Sequence, residues 1–261
     1  MSEERAKYLK RKSRYKKSVL LVRIIFIVGF FGLWEFLANL GIIDIFIISS
    51  PSRIISTLLG LFYNGLLYHL LVTLFETLFG FIVGIILGIL LATLLWWFPF
   101  ISRVLEPILV VLNSLPKIAL GPVIIILVGA GTSAIIFMAI AISLIITVLE
   151  LQNGFKNTDK DLIKMARTFS ASRTQIYTLI VFTSNLDTLF NSMKVNIGLS
   201  LVGVIAGEFL VSKAGLGYLI VYGCQVFQLN LVMASVLILT IMASFLYETL
   251  IIVEKWVLKR H

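Results

Sequence analysis

Read from its amino end, the chain alternates long apolar runs with short polar interruptions. The runs are Val19 to Ala38, Leu70 to Phe98, about Val104 to Val128, Ser133 to Leu149, roughly Thr188 to Leu210, and Leu231 to Val253. A bilayer core about 30 Å thick is crossed by roughly 20 apolar residues in a helix. The pattern therefore predicts an all-α, polytopic membrane helix bundle of about six transmembrane helices. The third run carries Pro107, Pro116 and Pro122, and Gly129-Ala130-Gly131-Thr132 separates it from the fourth. Breakers of this kind are tolerated inside spans because neighbouring helices satisfy the freed backbone groups.

The segments between runs are uneven. Gly41 to Tyr68 contains Ser49-Ser50-Pro51-Ser52, a helix start with serine capping and proline in the first turn. Ile54, Ile55, Leu58, Leu59 and Phe62 then recur at helical spacing, which predicts an interfacial helix. Val211 to Asn230 contains Lys213-Ala214-Gly215-Leu216-Gly217-Tyr218, whose glycines favour a turn. The longest polar stretch, residues 150–187, follows the fourth run.

Basic residues orient the spans, because cytoplasmic segments collect lysine and arginine. With the amino end inside, the inner segments hold seventeen. They are Arg5, Lys7, Lys10, Arg11, Lys12, Arg14, Lys16, Lys17, Arg103, Lys156, Lys160, Lys164, Arg167, Arg173, Lys255, Lys259 and Arg260. The outer segments hold two, Arg53 and Lys213, and Arg23, Lys117 and Lys194 fall within spans. The expectation is a plasma-membrane protein with both termini in the cytoplasm, residues 1–18 forming a basic cytoplasmic tail and 19–261 the transmembrane domain. The first run is too long for a signal peptide and lacks a small-x-small cleavage site.

Composition sharpens this. Of the 261 residues 59% are hydrophobic and 13% charged, against about 45–50% and about 25% in soluble domains. That excludes a soluble globular enzyme and a disordered chain. The net charge of +9 does not indicate nucleic acid, because its concentration ahead of the first span reads as a flank near anionic lipid. The lone Cys224 allows no internal disulfide or cysteine-based metal site.

Within 150–187, Asp159-Lys160-Asp161 opens a helical pattern with Leu162, Ile163, Met165, Ala166 and Phe169 apolar. Ser170-Ala171-Ser172 breaks it, and after Arg173 a second helical run covers Gln175 to Phe182. One reading is a solvated amphipathic hairpin. The other is a protrusion whose small residues let a second surface approach. The stretch resembles the cytoplasmic loop of ABC importer permease subunits, in the branch of nitrate, sulfonate, taurine and thiamine-precursor permeases. Asp159, Leu162, Ala166, Arg167, Ala171, Ser172 and Ile180 stand at matching places. Ser50-Pro51-Ser52, Leu115-Pro116 with Leu120-Gly121-Pro122 and Gly129-Ala130-Gly131, and Gly207-Glu208-Phe209-Leu210 with Gly215-Leu216-Gly217-Tyr218 extend the resemblance over roughly residues 15–260. The departures are Lys164 for the signature glutamate, Met165 for the position after it, Ser170 for its glycine and Phe182-Thr183 for its closing Leu-Pro. Serine removes easy access to left-handed backbone angles. The departures imply either an altered partner preference or pairing with a different permease subunit that carries the standard loop.

The resemblance implies a type I importer-like permease that pairs with a second permease subunit, same or different. It implies two ABC ATPase subunits beneath and an extracellular substrate-binding protein above. ATP-Mg would sit on the ATPase, since the chain has no phosphate loop and binds no cofactor of its own. It also implies that the loop is a coupling helix, with Lys164, Ala166, Arg167, Ser170, Ala171 and Arg173 contacting the ATPase and Leu162, Met165, Ala166 and Phe169 as the docking or packing side.

Polar residues inside spans are the remaining candidates, because ionised ones are costly there. Glu76 precedes Gly80, Gly84 and Gly88, a small-residue stripe that suits helix packing or, as the alternative, ligand contact. Asn113 and Lys117 lie one turn apart; Lys117 attracts an anionic substrate or pairs with Glu76. Ser192, Asn196, Ser200, Gly203 and Gly207 share a helix face that suits a pathway lining or tight packing. Glu208 either hydrogen-bonds the Gly215–Tyr218 loop or acts as a gate. Arg23 and Glu35 pair or snorkel. His69 and His261 are isolated, so no metal site is expected, and no nucleophile-base constellation appears. The rivals to a permease are a self-sufficient ion-coupled secondary transporter, which would often show internal repeats, and a membrane enzyme.

Overall fold

The structure is a computed structural model and describes residues 3–259. Arg260 and His261 lie outside the described residues, as do the side chains of Arg5, Lys7, Lys10, Arg11 and Lys16. The described residues form helices and connecting turns. Five helices are long and apolar enough to cross a membrane, and one bent pair makes a sixth if counted as a single span. The chain divides into two compact units. One takes the residues up to Asn64 with Gly223–Ala234; the other takes Gly65–Tyr222 with those from Ser235 on.

In the first unit, α1 (Glu3–Asn39) carries the basic segment and the first apolar run in one continuous helix. A four-residue helix, α2 (Ile45–Ile48), is capped by Asp44. The interfacial helix is α3 (Pro51–Tyr63). Its first turn is not closed by a serine of its own, as the sequence suggested. Glu35 of α1 does so, accepting hydrogen bonds from the Ser52 backbone N–H at 3.0 Å and hydroxyl at 2.8 Å. Glu35 is therefore not Arg23's partner: the two are twelve helical positions apart, about 18 Å of rise.

The second unit contains α4 (Leu66–Trp97), α5 (Pro99–Ser114), a 3-10 turn (Lys117–Leu120), α6 (Gly121–Val128), α7 (Thr132–Asn157), α8 (Lys160–Thr168), α9 (Arg173–Ile176), a π-helical turn (Tyr177–Phe182) and α10 (Leu186–Val211). Two further helices, α11 (Leu216–Gln225) and α12 (Leu229–Leu258), have residues in both units.

The third apolar run is not one straight span. α5 and the 3-10 turn with α6 meet at 87°. A residue before proline is pushed out of the helical region, and Leu115, ahead of Pro116, sits at φ −67°, ψ 138°. Pro122 then restarts the helix in the first turn of α6, where its missing N–H costs nothing. The fourth span also runs past Leu149 to Asn157, because Gln152 and Phe155 are buried and keep the polar stretch helical.

The core of this unit is α7 packed between α4 and α10. Gly80, Gly84 and Gly88 of α4 face Ala139, Ser143 and Thr147 of α7; a Cβ at these glycines would lie 2.5, 2.6 and 2.6 Å from the facing Cβ atoms. On α10, Gly203 meets Ala139 and Ile142, and Gly207 meets Ile135. Between helices in lipid no hydrophobic drive remains, so close backbone approach and interhelical hydrogen bonds supply the association.

Gly84→Leu has nowhere to place its side chain. It is expected to cost about 1–3 kcal/mol through overpacking, read as a lower unfolding temperature of the detergent-solubilised chain. An unchanged temperature would mean that α4 and α7 do not meet here.

Candidate functional site

The hairpin from Thr158 to Asn185 is built by local caps. Asp159 accepts the Asp161 N–H at 2.8 Å and starts α8. At the far end the Ser170 N–H donates to the Arg167 carbonyl at 2.9 Å and the Ala171 N–H to the Ala166 carbonyl at 3.0 Å. This is the paired closure of a Schellman motif, and it needs a left-handed residue at position 170. Ser170 supplies it with φ 59°. The position at which the resemblance expects glycine thus keeps the glycine-like backbone, strained by the serine Cβ. Ser172 opens α9 with a capping box: its N–H donates to Gln175 Oε1 at 2.8 Å and its hydroxyl accepts the Gln175 N–H at 3.3 Å. The bend is closed on both sides.

Arg173 turns back onto α4. Its guanidinium donates to the Trp97 carbonyl at 2.6 Å and lies 5.4 and 5.3 Å from the Trp96 and Trp97 ring centres. A cation over the last carbonyls of a helix is favoured by the helix dipole, and the indole faces add cation–π attraction. Tyr177 completes the clamp. Its ring lies 5.0 Å from Trp96 and 5.7 Å from Phe155, and its hydroxyl meets that of Thr93. Burial pushes the phenol up from its ordinary value, opposed by the Thr93 hydrogen bond. Asn185 closes the base, donating to Thr158 Oγ1 at 2.9 Å and the Val181 carbonyl at 2.8 Å. A Cβ on Gly154 would strike this amide.

The outer surface of α8 has no partner among the described residues. Met165 is 52% and Phe169 79% exposed, and Leu162 is exposed beside them. Lys164 pairs with Asp161 at 2.9 Å in solvent, and Ala166 and Arg167 engage the bend through their carbonyls. Of the six residues expected at the ATPase contact, Ala166, Arg167, Ser170 and Ala171 form the bend, Lys164 stands on α8, and Arg173 anchors the hairpin to α4.

The polar span residues separate into two groups. Ser192, Asn196 and Ser200 are fully buried. Asn196 donates to Thr147 Oγ1 at 2.8 Å and to Ser192 Oγ at 3.2 Å, and the Ser200 and Ser143 hydroxyls bond each other. Their polar groups join α7 to α10, which is the packing alternative for that face. Asn113 instead borders a cavity of about 830 Å3 between α5, α7 and the start of α10, whose wall includes Glu150, Asn153, Asp159 and Asn185. Lys117 does not pair with Glu76. Its ammonium donates to the Asn113 backbone carbonyl at 2.9 Å and to Oδ1 at 3.2 Å, one turn back. Glu76 is buried, with neither carboxyl oxygen hydrogen-bonded among the described residues.

Glu208 holds the loop before α11. It accepts the Gly217 N–H and the Thr73 hydroxyl, both at 2.6 Å, while Thr73 Oγ1 accepts the Leu216 N–H at 2.8 Å. Gly215, at φ 108°, passes so close to this carboxyl that a Cβ would collide with it. His69 Nδ1 accepts the Gly215 N–H at 3.0 Å and stacks on Tyr218. Glu208 thus makes the expected loop contact.

Sequence reading missed Tyr177, the Trp96-Trp97 pair, Thr158 and Asn185. The tryptophan pair was the available signal, because aromatic rings mark the end of a span. Nothing in local spacing brings Asn185 to Thr158, since the contact spans the whole hairpin.

Comparison with known proteins agrees with this architecture. Residues 84–260 match the family described as binding-protein-dependent transport system inner membrane component. The chain is 28% identical over 250 residues to a probable ABC transporter permease protein of Haemophilus influenzae, covering 95% of this chain and 98% of that one. It is 24% identical to the putative aliphatic sulfonates transport permease of Escherichia coli, over 83% of each. It is 25% identical to the formylaminopyrimidine transport permease of Halalkalibacterium halodurans, over 71% of this chain and 74% of that one. A chain of the methionine ABC transporter MetNI, solved in inward-facing conformations, shares the fold with a TM-score of 0.64 at 19% identity, over 74% of this chain and 95% of that one. A self-sufficient secondary transporter and a membrane enzyme are thereby set aside. The glycine-packed helices, the clamped hairpin and a family match over more than half of the chain converge on one conclusion: this protein belongs to the binding-protein-dependent ABC transport permeases and is a multi-pass inner-membrane subunit that is not itself catalytic.

Proposed function

We propose that the 158–185 hairpin is the handle by which an ATP-hydrolysing ABC subunit moves this permease. The observation that carries the reading is the unpartnered apolar side of α8 on a hairpin closed at every joint. Met165 and Phe169 stand in solvent, although burying a side chain of that size contributes about 1.5–3 kcal/mol. A handle transmits force only if it is stiff. The Schellman closure at Ser170, the capping box at Ser172, the Arg173–Trp97 contact and the Asn185–Thr158 bond remove the soft joints.

The hairpin then lies in the cytoplasm, as do both termini and the basic segment 1–18; the seventeen-to-two distribution of basic residues supports that orientation. The transmembrane domain 19–261 forms the translocation pathway with a second permease subunit, receives its solute from an extracellular binding protein, and leaves ATP-Mg to the ATPase. The curated relatives include transporters of sulfonates and of a formylaminopyrimidine, so the solute is a small polar organic molecule.

Two predictions follow from the handle. Replacing both Met165 and Phe169 with aspartate is expected to reduce co-purification of the ATPase about tenfold or more, the effect of losing interface anchors, with the chain's own unfolding temperature unchanged. Undiminished co-purification would remove α8 as the contact. Ser170→Gly relieves the left-handed serine and is expected to stabilise the bend by about 1 kcal/mol, seen as slower amide hydrogen exchange over residues 166–173. Faster exchange there would contradict the strained cap.

A further inference from the structure

The cavity of about 830 Å3 falls in the size range of small-molecule sites, about 300–1,000 Å3. Its placement is particular. One wall is the end of α5, at Asn113 and Ser114; another is the α7 face bearing Glu150, Asn153 and Asn157. The floor is made by the two roots of the hairpin, Thr158-Asp159 and Ser184-Asn185. The Asn185–Thr158 bond ties the two roots together, so a pull on the hairpin that moved them as one against the end of α5 would change the shape of this cavity directly.

The lining chemistry is uneven. Amides and hydroxyls, which both donate and accept, dominate its polar part. Two carboxylates, Glu150 and Asp159, border it, and no lysine or arginine does among the described residues. This contrasts with the basic character of the segments around it. Lys117 is not in the lining; its ammonium donates to Asn113 Oδ1 and to the adjoining backbone carbonyl. Glu150 enters none of the ion pairs found among the described residues. A cleft bordered by charge of one sign concentrates solutes of the opposite sign and repels like charge.

We infer that this cavity is the chamber from which solute leaves toward the cytoplasm, and that its lining selects a neutral or cationic, amine- or amide-bearing heterocycle over a sulfonate or other small anion. The inference rests on the coupling reading for the direction of release but not for the binding itself. Asn113 and Asn153 would hydrogen-bond the ring substituents, and Glu150 would set the sign of the accepted charge.

Equilibrium dialysis of the detergent-solubilised full chain, alone and with its ATPase but without a binding protein, tests it. The probes are a radiolabelled aminopyrimidine and an alkanesulfonate of similar size. The aminopyrimidine is expected to bind about tenfold better than the sulfonate. Asn153→Leu is expected to weaken it several-fold, and Glu150→Lys to reverse the preference, with unfolding temperatures confirming that both variants fold. Equal or better sulfonate binding, no binding of either probe, or no effect of Glu150→Lys would each overturn the inference. Co-purification of the ATPase on the same preparations reads the coupling proposal separately. An assembled complex that prefers sulfonate sinks only the chamber, while a chain that prefers the aminopyrimidine but holds no ATPase sinks only the handle.

Discussion

The closeness of α7 to its two neighbours is the constraint on which the second unit depends. Gly80, Gly84 and Gly88 on one side and Gly203 and Gly207 on the other let its backbone approach within side-chain-free distance. In lipid such contact replaces the water-driven burial that holds soluble cores together. Once α7 is fixed, the Asn196–Thr147 and Ser200–Ser143 bonds fall into register without strain on longer side chains. The polar seam thus follows from the glycine packing.

The hairpin inherits its position from the same three helices. It starts at the end of α7, returns at the start of α10, and is clamped by Arg173 and Tyr177 to the end of α4. Every helix of the packed core therefore has one end tied to the hairpin. Force applied to α8 has no loose loop in which to dissipate. The π-helical turn at Tyr177–Phe182 fits this role: widening the helix by one residue per turn re-aims the side chains that follow, and such turns cluster at functional places.

Much of this was legible in the sequence, and the failures have physical causes. Span number, the glycine stripe after Glu76 and the break at Ser170-Ala171-Ser172 were all local periodicity or punctuation, which a single chain records directly. The bend of the third run was marked by Pro116, but its 87° angle depends on where α6 packs, against Met138 and Leu210 near Gly121. The helix end at Asn157 was hidden because the apolar pattern stops at Leu149 and the polar stretch begins at Glu150. Gly154 is there to admit the Asn185 amide, a partner thirty-one residues away. Glu35 looked like a mate for Arg23 because both are charges on one helix, whereas its use is to cap a different helix. In the hairpin, Arg173 was singled out as an ATPase contact but its grip on α4 was not foreseen, nor was Tyr177, because both act through contacts with α4 that no short window contains.

Ser170 shows why residue identity and backbone geometry have to be weighed separately. Judged by side chain alone, serine in place of a signature glycine argues against a tight bend. The backbone argues otherwise, since φ is 59° and both closing hydrogen bonds are made. A left-handed serine costs on the order of 1 kcal/mol, while the two closing bonds contribute about 0.5–1.5 kcal/mol each. The capping box at Ser172 fixes the next turn as well. The balance favours the closed bend, so the substitution alters the stability of the hairpin rather than its shape. The charge reversal at Lys164 is of a different kind. Its ammonium is exposed and paired with Asp161 in solvent, where such pairs are worth little. It leaves the hairpin's geometry alone and changes only the charge that the hairpin presents to solvent.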